Sequence, residues 1–189
     1  MNTFHLFDLD GTVIDSFHRI KPCLKENGDL DLNKYKKGAC QHSLIMQDEL
    51  LPLIDYMKEL IKSGEQVGIC TARFMNKSDY YFLRKNGIKT SFIASRDQLH
   101  KHFDPVMAQA LIRSGDAVYK AAWLQRVKVL RPELSISLYD DHDGVIHMAR
   151  SLGVTCFDSK ALNNRLDAAF KAGMLEIIEQ LEREGIDNV

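Results

Sequence analysis

The apolar positions of this chain fall into short continuous runs that alternate with stripes of helical period. Thr3-Phe4-His5-Leu6-Phe7 is a mostly apolar run that stops at Asp8, the pattern of a buried strand delivering a carboxylate at its carboxyl end. Residues 48–63 follow a helical period with Leu50, Ile54, Met57 and Ile61 on one face, and Gly64 closes that helix. Gln66-Val67-Gly68-Ile69-Cys70 predicts a second strand ending at Thr71. A helix follows over about 78–86, and Ser91-Phe92-Ile93-Ala94 predicts a third strand. The next helix covers roughly 117–130 and stops before Pro132. Ser135-Ile136-Ser137-Leu138-Tyr139 then leads into Asp140 and Asp141 as a fourth strand. Val145, Met148, Ala149 and Leu152 stripe another helix, and Val154-Thr155-Cys156-Phe157 predicts a fifth strand.

Strands and helices alternating at this spacing predict a three-layer α/β/α Rossmann-like fold with a parallel sheet, spanning 1–189 as a single domain. Residues 16–47 break the rhythm. They are polar, hold Gly28, Gly38 and the basic cluster Lys34, Lys36 and Lys37, and are expected to form a small cap insertion beside the site. Residues 161–183 have helical period, with Leu175, Ile178 and Leu181 sharing a face that packs on the sheet or on a second subunit. His100 and His102, flanking Lys101, are expected on an exposed loop.

Composition narrows the function classes. The 189 residues are 45% hydrophobic and 27% charged, as in ordinary globular proteins, and the formal net charge of −1 provides no global field toward nucleic acid or anionic lipid. Cys23, Cys40, Cys70 and Cys156 form no CxxC pair, so a reduced cytoplasmic location is expected. The N-terminus lacks a signal-peptide pattern, and no stretch is long enough to cross a membrane. Cys23, Cys40, His18 and His42 fit no compact zinc spacing.

Polar residues follow three of the inferred strands: Asp8 and Asp10, then Thr71, then Asp140 and Asp141. Ligands of open parallel sheets bind beyond the carboxyl ends of the strands, so these distant residues should converge. Crowded carboxylates repel unless a cation neutralises them, and all-oxygen ligands with room for a phosphate point to magnesium.

Asp8-Leu9-Asp10-Gly11-Thr12-Val13 resembles the opening motif of the haloacid dehalogenase-like phosphatases. Thr71, in Cys70-Thr71-Ala72-Arg73, resembles the second motif of that superfamily, Asp140-Asp141 the fourth, and a lysine between them should be the third. The resemblance implies a magnesium-dependent phosphomonoester hydrolase. Asp8 would be the nucleophile, forming an aspartyl phosphate, and Asp10 the proton-transfer partner. Thr71 would hydrogen-bond the phosphoryl oxygens while a lysine neutralises them. The metal would be held by Asp8, the Asp10 main-chain carbonyl and Asp140, with Asp141 or Asp143 nearby. Lys120 is the preferred lysine, ahead of Lys101 and Lys128. Arg73 reads equally as a structural residue or as a phosphate clamp.

The run Leu111-Ile112-Arg113-Ser114-Gly115-Asp116 before Lys120, together with Tyr139 to Arg150, looks like the 3′-phosphatase half of polynucleotide kinase–phosphatases. His142 stands where that half carries an arginine, and Ala72 where it carries a glycine. No GxxxxGK[ST] kinase loop is present. The implied substrate is a nucleic-acid 3′-phosphate or a nucleotide, with a small-molecule sugar or nucleotide phosphate as the alternative. A phosphorylatable receiver-like switch uses similar residues, but in a different order along the chain.

Overall fold

A computed structural model describes residues 2–27 and 30–183. Gly28 and the side chains of Lys36, Ile178 and Leu181 lie outside the described residues. Seven strands occur among them: β1 (Thr3–Phe7), β2 (Ile14–Asp15), β3 (Glu49–Leu50), β4 (Gln66–Cys70), β5 (Phe92–Ala94), β6 (Ser135–Asp140) and β7 (Thr155–Asp158). Five of them form one sheet in the order β5-β4-β1-β6-β7, and every pairing in it is parallel. β1 is central because Leu6 and Phe7 are fully buried and can face helices on both sides.

Helices cover both faces. On one side Tyr119, Trp123, Leu124 and Val127 of the helix Asp116–Leu130 pack with Ala108 and Leu111 of Pro105–Arg113 and with Val145, Ile146 and Ala149 of Asp143–Ser151. On the other side Ile54 and Met57 of Leu53–Lys62 and Phe82 and Leu83 of Lys77–Lys85 pack against Phe7, Ile69 and Tyr139. The fold is therefore the three-layer α/β/α arrangement that the alternation predicts. No described helix is long and apolar enough to cross a membrane.

Three helical segments differ from the expectation. The helix anticipated over 48–63 runs only over Leu53–Lys62, because Pro52 precedes its first residue and Glu49–Leu50 pairs antiparallel with Ile14–Asp15 as a strand. Leu50 therefore belongs to that small ribbon and not to the helical stripe. The helix Pro105–Arg113 was not anticipated, although its start carries a recognisable signal. Asp104 accepts from the backbone N–H groups of Val106 and Met107 at 3.0 Å, with Pro105 at the first helical position. His100–His102 also lie in a short helix, Leu99–His102, where the His102 ring meets Trp123 at 5.0 Å.

The β2–β3 ribbon is the stem from which residues 16–47 depart and return. They fold into short helical turns around Cys23, Tyr35 and Ala39, a small apolar cluster of their own. Arg19 ties this insertion down: its guanidinium donates to both oxygens of Asp48, at 2.7 and 2.8 Å, and to Ala39 O at 3.1 Å. Asn76 Nδ2 donates to Cys40 O at 3.1 Å, which fastens the insertion to the start of the helix Lys77–Lys85.

Trp123 meets the rings of Phe92, His102 and Phe103 and is almost wholly enclosed. Trp123→Ala should lower the free energy of unfolding by about 3–5 kcal/mol, the usual cost of removing a large buried ring. A urea titration of both proteins checks this, as a lower midpoint at an unchanged slope.

Candidate active site

The carboxyl ends of β1, β4 and β6 lie side by side because the strands are parallel and in register. Phe7 pairs with Ile69 on one side and Tyr139 on the other, so Asp8 and Asp140 emerge together, level with Cys70, and Thr71 follows one residue later at the end of β4. Asp8 N donates to Tyr139 O at 2.9 Å and Thr71 N to Ala94 O at 2.9 Å, which carries the ladder up to the site. The backbone then turns at once. Gly11 has φ +72° and passes so close to Asp141 that a Cβ there would lie 2.6 Å from its Oδ2. Only glycine allows this turn and this approach together.

Lys120 reaches the same point from the helix Asp116–Leu130. It occupies a core-facing position, three and four residues before Trp123 and Leu124, and its side chain is 3% exposed. Its Nζ donates to Asp140 Oδ2 at 2.6 Å and lies 2.9 Å from Asp8 Oδ1. The second contact is an ion pair off the hydrogen-bond line, since Asp8 Oδ1 has no hydrogen-bond partner. Burial opposes the ammonium charge, but Asp8 and Asp140 more than offset it and hold Lys120 well above its ordinary pKa. The other two lysines are elsewhere. Lys101 is exposed, and Lys128 donates to Leu152 O at 2.6 Å at the end of the helix Asp143–Ser151.

Asp8, Asp140 and Asp141 each offer an oxygen within 4.8 Å of the others. Burial pushes Asp8 up to about 8, against the pull of Lys120, and the charges of Asp140 and Asp10 add to the rise. A single ammonium does not compensate so many carboxylates. The buried carboxylates and the all-oxygen donor set fit a small hard cation. Asp143 is an exposed residue in the first turn of its helix and does not join the group.

The Asp10 carboxylate does not join it either. Both of its oxygens are taken by Arg73: Nε donates to Oδ2 at 3.0 Å and Nη2 to Oδ1, with Ser16 Oγ also donating to Oδ1. Burial alone would raise this carboxyl; Arg73 and Ser16 outweigh it and hold Asp10 below the usual carboxylate range. The same guanidinium donates to Asp79 Oδ1 at 2.6 Å and lies 3.8 Å from Asp48 Oδ2. Arg73 is thus a buried hub between the motif aspartate, the helix Lys77–Lys85 and the root of the insertion. Thr71 Oγ1 accepts from Arg73 N at 3.3 Å, so threonine and arginine share one turn.

Sequence reasoning missed several of these residues. Ser16, Asp48 and Asp79 carry no motif, and only their contacts reveal them. Arg96 is another such residue. It donates to Ala72 O at 2.7 Å, to Ser114 O at 2.9 Å, to Asp116 Oδ1 at 3.0 Å, and to the carbonyls of Leu111 and Ile112. This ties the turn Leu111–Asp116 to the strand ends and sets where the Lys120 helix begins. Arg113, within that turn, is exposed. Lys34 and Lys37 are exposed on the insertion, and Lys160 Nζ lies 3.5 Å from Asp141 Oδ2 at the rim.

Arg73→Ala would leave Asp79 and Asp10 without their buried counter-charge. It should cost about 3–5 kcal/mol of stability, as breaking a buried ion pair from one side does. Asp79→Ala in the same background should cost little more, since the two losses are one interaction. A double-mutant cycle in urea checks both statements.

The chain is similar to known proteins in fold and in sequence. The chain resembles a haloacid dehalogenase-like hydrolase from Streptococcus pneumoniae in fold, with a TM-score of 0.54 at 16% identity, over 82% of this chain and 83% of that one. A haloacid dehalogenase-superfamily hydrolase from Geobacter sulfurreducens PCA gives a TM-score of 0.51 at 14% identity, over 82% and 88% of the two chains. At the level of sequence, the 5′-deoxynucleotidase of Escherichia phage T5 is 46% identical over 167 residues, which cover 85% of this chain and 68% of that protein. The family described as bacteriophage T5 5′-deoxynucleotidase matches residues 1–189. With the site residues standing at the strand ends of a haloacid dehalogenase-like fold, the chain belongs to the bacteriophage T5 5′-deoxynucleotidase family.

Proposed function

We propose that this protein removes the 5′-phosphate of deoxynucleoside monophosphates, with magnesium as its cofactor and Asp8 as its nucleophile. Phosphomonoester hydrolysis on nucleotides follows from membership of the family. The observation that carries the site assignment is the buried meeting of Asp8, Lys120 and Asp140. A 5′-phosphate is favoured over a nucleic-acid 3′-phosphate by the relative in phage T5.

Asp8, Asp140 and Asp141, with the Asp10 carbonyl, would hold the cation. When bound, the cation would offset the charge of the phosphate and bring it against Asp8. Asp8 then attacks phosphorus, its new oxygen–phosphorus bond forming as the bond to the nucleoside oxygen breaks. Lys120 neutralises the oxygens of the transferring phosphoryl group, and Thr71 donates a hydrogen bond to one of them. Asp10 delivers the proton to the departing oxygen and later takes one from the water that hydrolyses the aspartyl phosphate. Because Arg73 and Ser16 occupy both its oxygens and keep it ionised, Asp10 must turn from them and take up a proton from solvent before it can act as the acid. The insertion of 16–47, rooted next to Arg73 through Asp48, would be the element that covers the nucleoside. A cytoplasmic location suits a nucleotide substrate and four cysteines that are all free.

Asp8→Asn should remain folded and lose at least about a thousandfold in kcat/KM, the scale on which a covalent nucleophile matters. Deoxynucleoside 5′-monophosphates should be cleaved with higher kcat/KM than a 3′-phosphorylated oligonucleotide or a hexose phosphate at fixed salt. Chelation should abolish turnover, magnesium should restore it, and calcium should restore it poorly. Preference for the oligonucleotide would overturn the 5′ assignment alone, and near-normal turnover by Asp8→Asn would remove the covalent mechanism.

A further inference from the structure

The helix Ser159–Arg183 starts in the core and runs out of it. Near its start Leu162 packs against the apolar cluster that includes Met57 and Tyr139. Asn163 is buried, donating to Thr12 O at 2.9 Å and accepting from Leu53 N at 2.7 Å. Beyond this anchor the same face continues with Leu166, Phe170, Met174 and Ile177, at spacings i, i+4, i+8 and i+11 that make one stripe. Nothing covers it among the described residues: these side chains are 40%, 68%, 48% and 59% exposed. Gly173 lies on the stripe as well, and a Cβ built there meets nothing within 4 Å. From Leu166 onward the helix extends about 27 Å at a rise of ~1.5 Å per residue. Helices of this length are marginal in water and gain most of their stability from packing an apolar face.

The charges along this helix say what packs there. From Ser159 to Lys171 the basic residues are Lys160, Arg165 and Lys171, against Asp167 alone. From Ala172 to Arg183 the acidic residues are Glu176, Glu179 and Glu182, against Arg183 alone. Such a helix is complementary to itself only when reversed. Arg165 and Glu176 stand about three turns apart on the same flank of the stripe, and neither makes an ion pair among the described residues.

We propose that this stripe is a dimer seam, paired antiparallel with the same stripe of a second copy about a two-fold axis near Phe170. In that arrangement Arg165 of each copy faces Glu176 of the other, twice by symmetry, and the open side of Gly173 admits the opposing apolar residues. A parallel pair would set Arg165 against Arg165 and Glu176 against Glu176, so the charge order selects the direction.

Sedimentation velocity on the full chain, across the micromolar range, tests the seam. The wild-type protein should sediment as a dimer, and Phe170→Glu as a monomer with unchanged kcat/KM on a deoxynucleoside monophosphate. Arg165→Glu and Glu176→Arg should each weaken the dimer at least tenfold in Kd, and the double reversal should restore it by exchanging the partners. A wild-type monomer throughout, a dimer that survives Phe170→Glu, or a double reversal no tighter than the single changes would each overturn the proposal.

Discussion

Everything at the catalytic end of this protein depends on one buried ammonium. Lys120 lies between Asp8 and Asp140 with its side chain almost wholly enclosed. Three aspartates reach this point because parallel strands in register deliver their ends together. Their mutual repulsion in a medium that solvates charge poorly would be prohibitive without compensation. One lysine answers part of it; burial first, and then the charges of Asp140 and Asp10, still push the Asp8 carboxyl up. A cation is the natural complement, and a phosphate dianion can then enter a region whose side chains alone would repel it.

A second buried cation organises the neighbouring side of the site. Arg73 grips Asp10 with two nitrogens, reaches Asp79 with the third, and stands close to Asp48, which is itself gripped by Arg19 of the insertion. Asp10, the helix Lys77–Lys85 and the root of the insertion are therefore coupled through one guanidinium. Its planar fork suits this task, because a lysine cannot serve three carboxylates in fixed directions. The stance of the insertion and the stance of Asp10 are parts of one charge network. Arg96 does comparable work with neutral partners, binding backbone carbonyls where the helix Pro105–Arg113 gives way to the one bearing Lys120.

Sequence alone determined the five strands of the sheet and most of the helices between them, because runs of buried residues and helical stripes are local patterns that survive without coordinates. It also determined the cluster Asp8, Thr71, Lys120, Asp140 and Asp141, because parallel topology obliges strand ends to meet. Lys120 could be preferred over Lys101 and Lys128 from its place ahead of β6, and its helix indeed turns it inward. What the tertiary structure alone decided are contacts between residues that carry no motif. The hold of Arg73 on Asp10, the bridge from Arg19 to Asp48 and the knot around Arg96 join segments far apart in the chain. Their partners are ordinary aspartates and backbone carbonyls. The late start of the helix at Leu53 and the emergence of Leu166 to Ile177 from the core were likewise decided by what lies next to each segment in space. A side chain's type and spacing state what it is able to do, but burial and neighbours state what it does, and those exist only once the chain is folded.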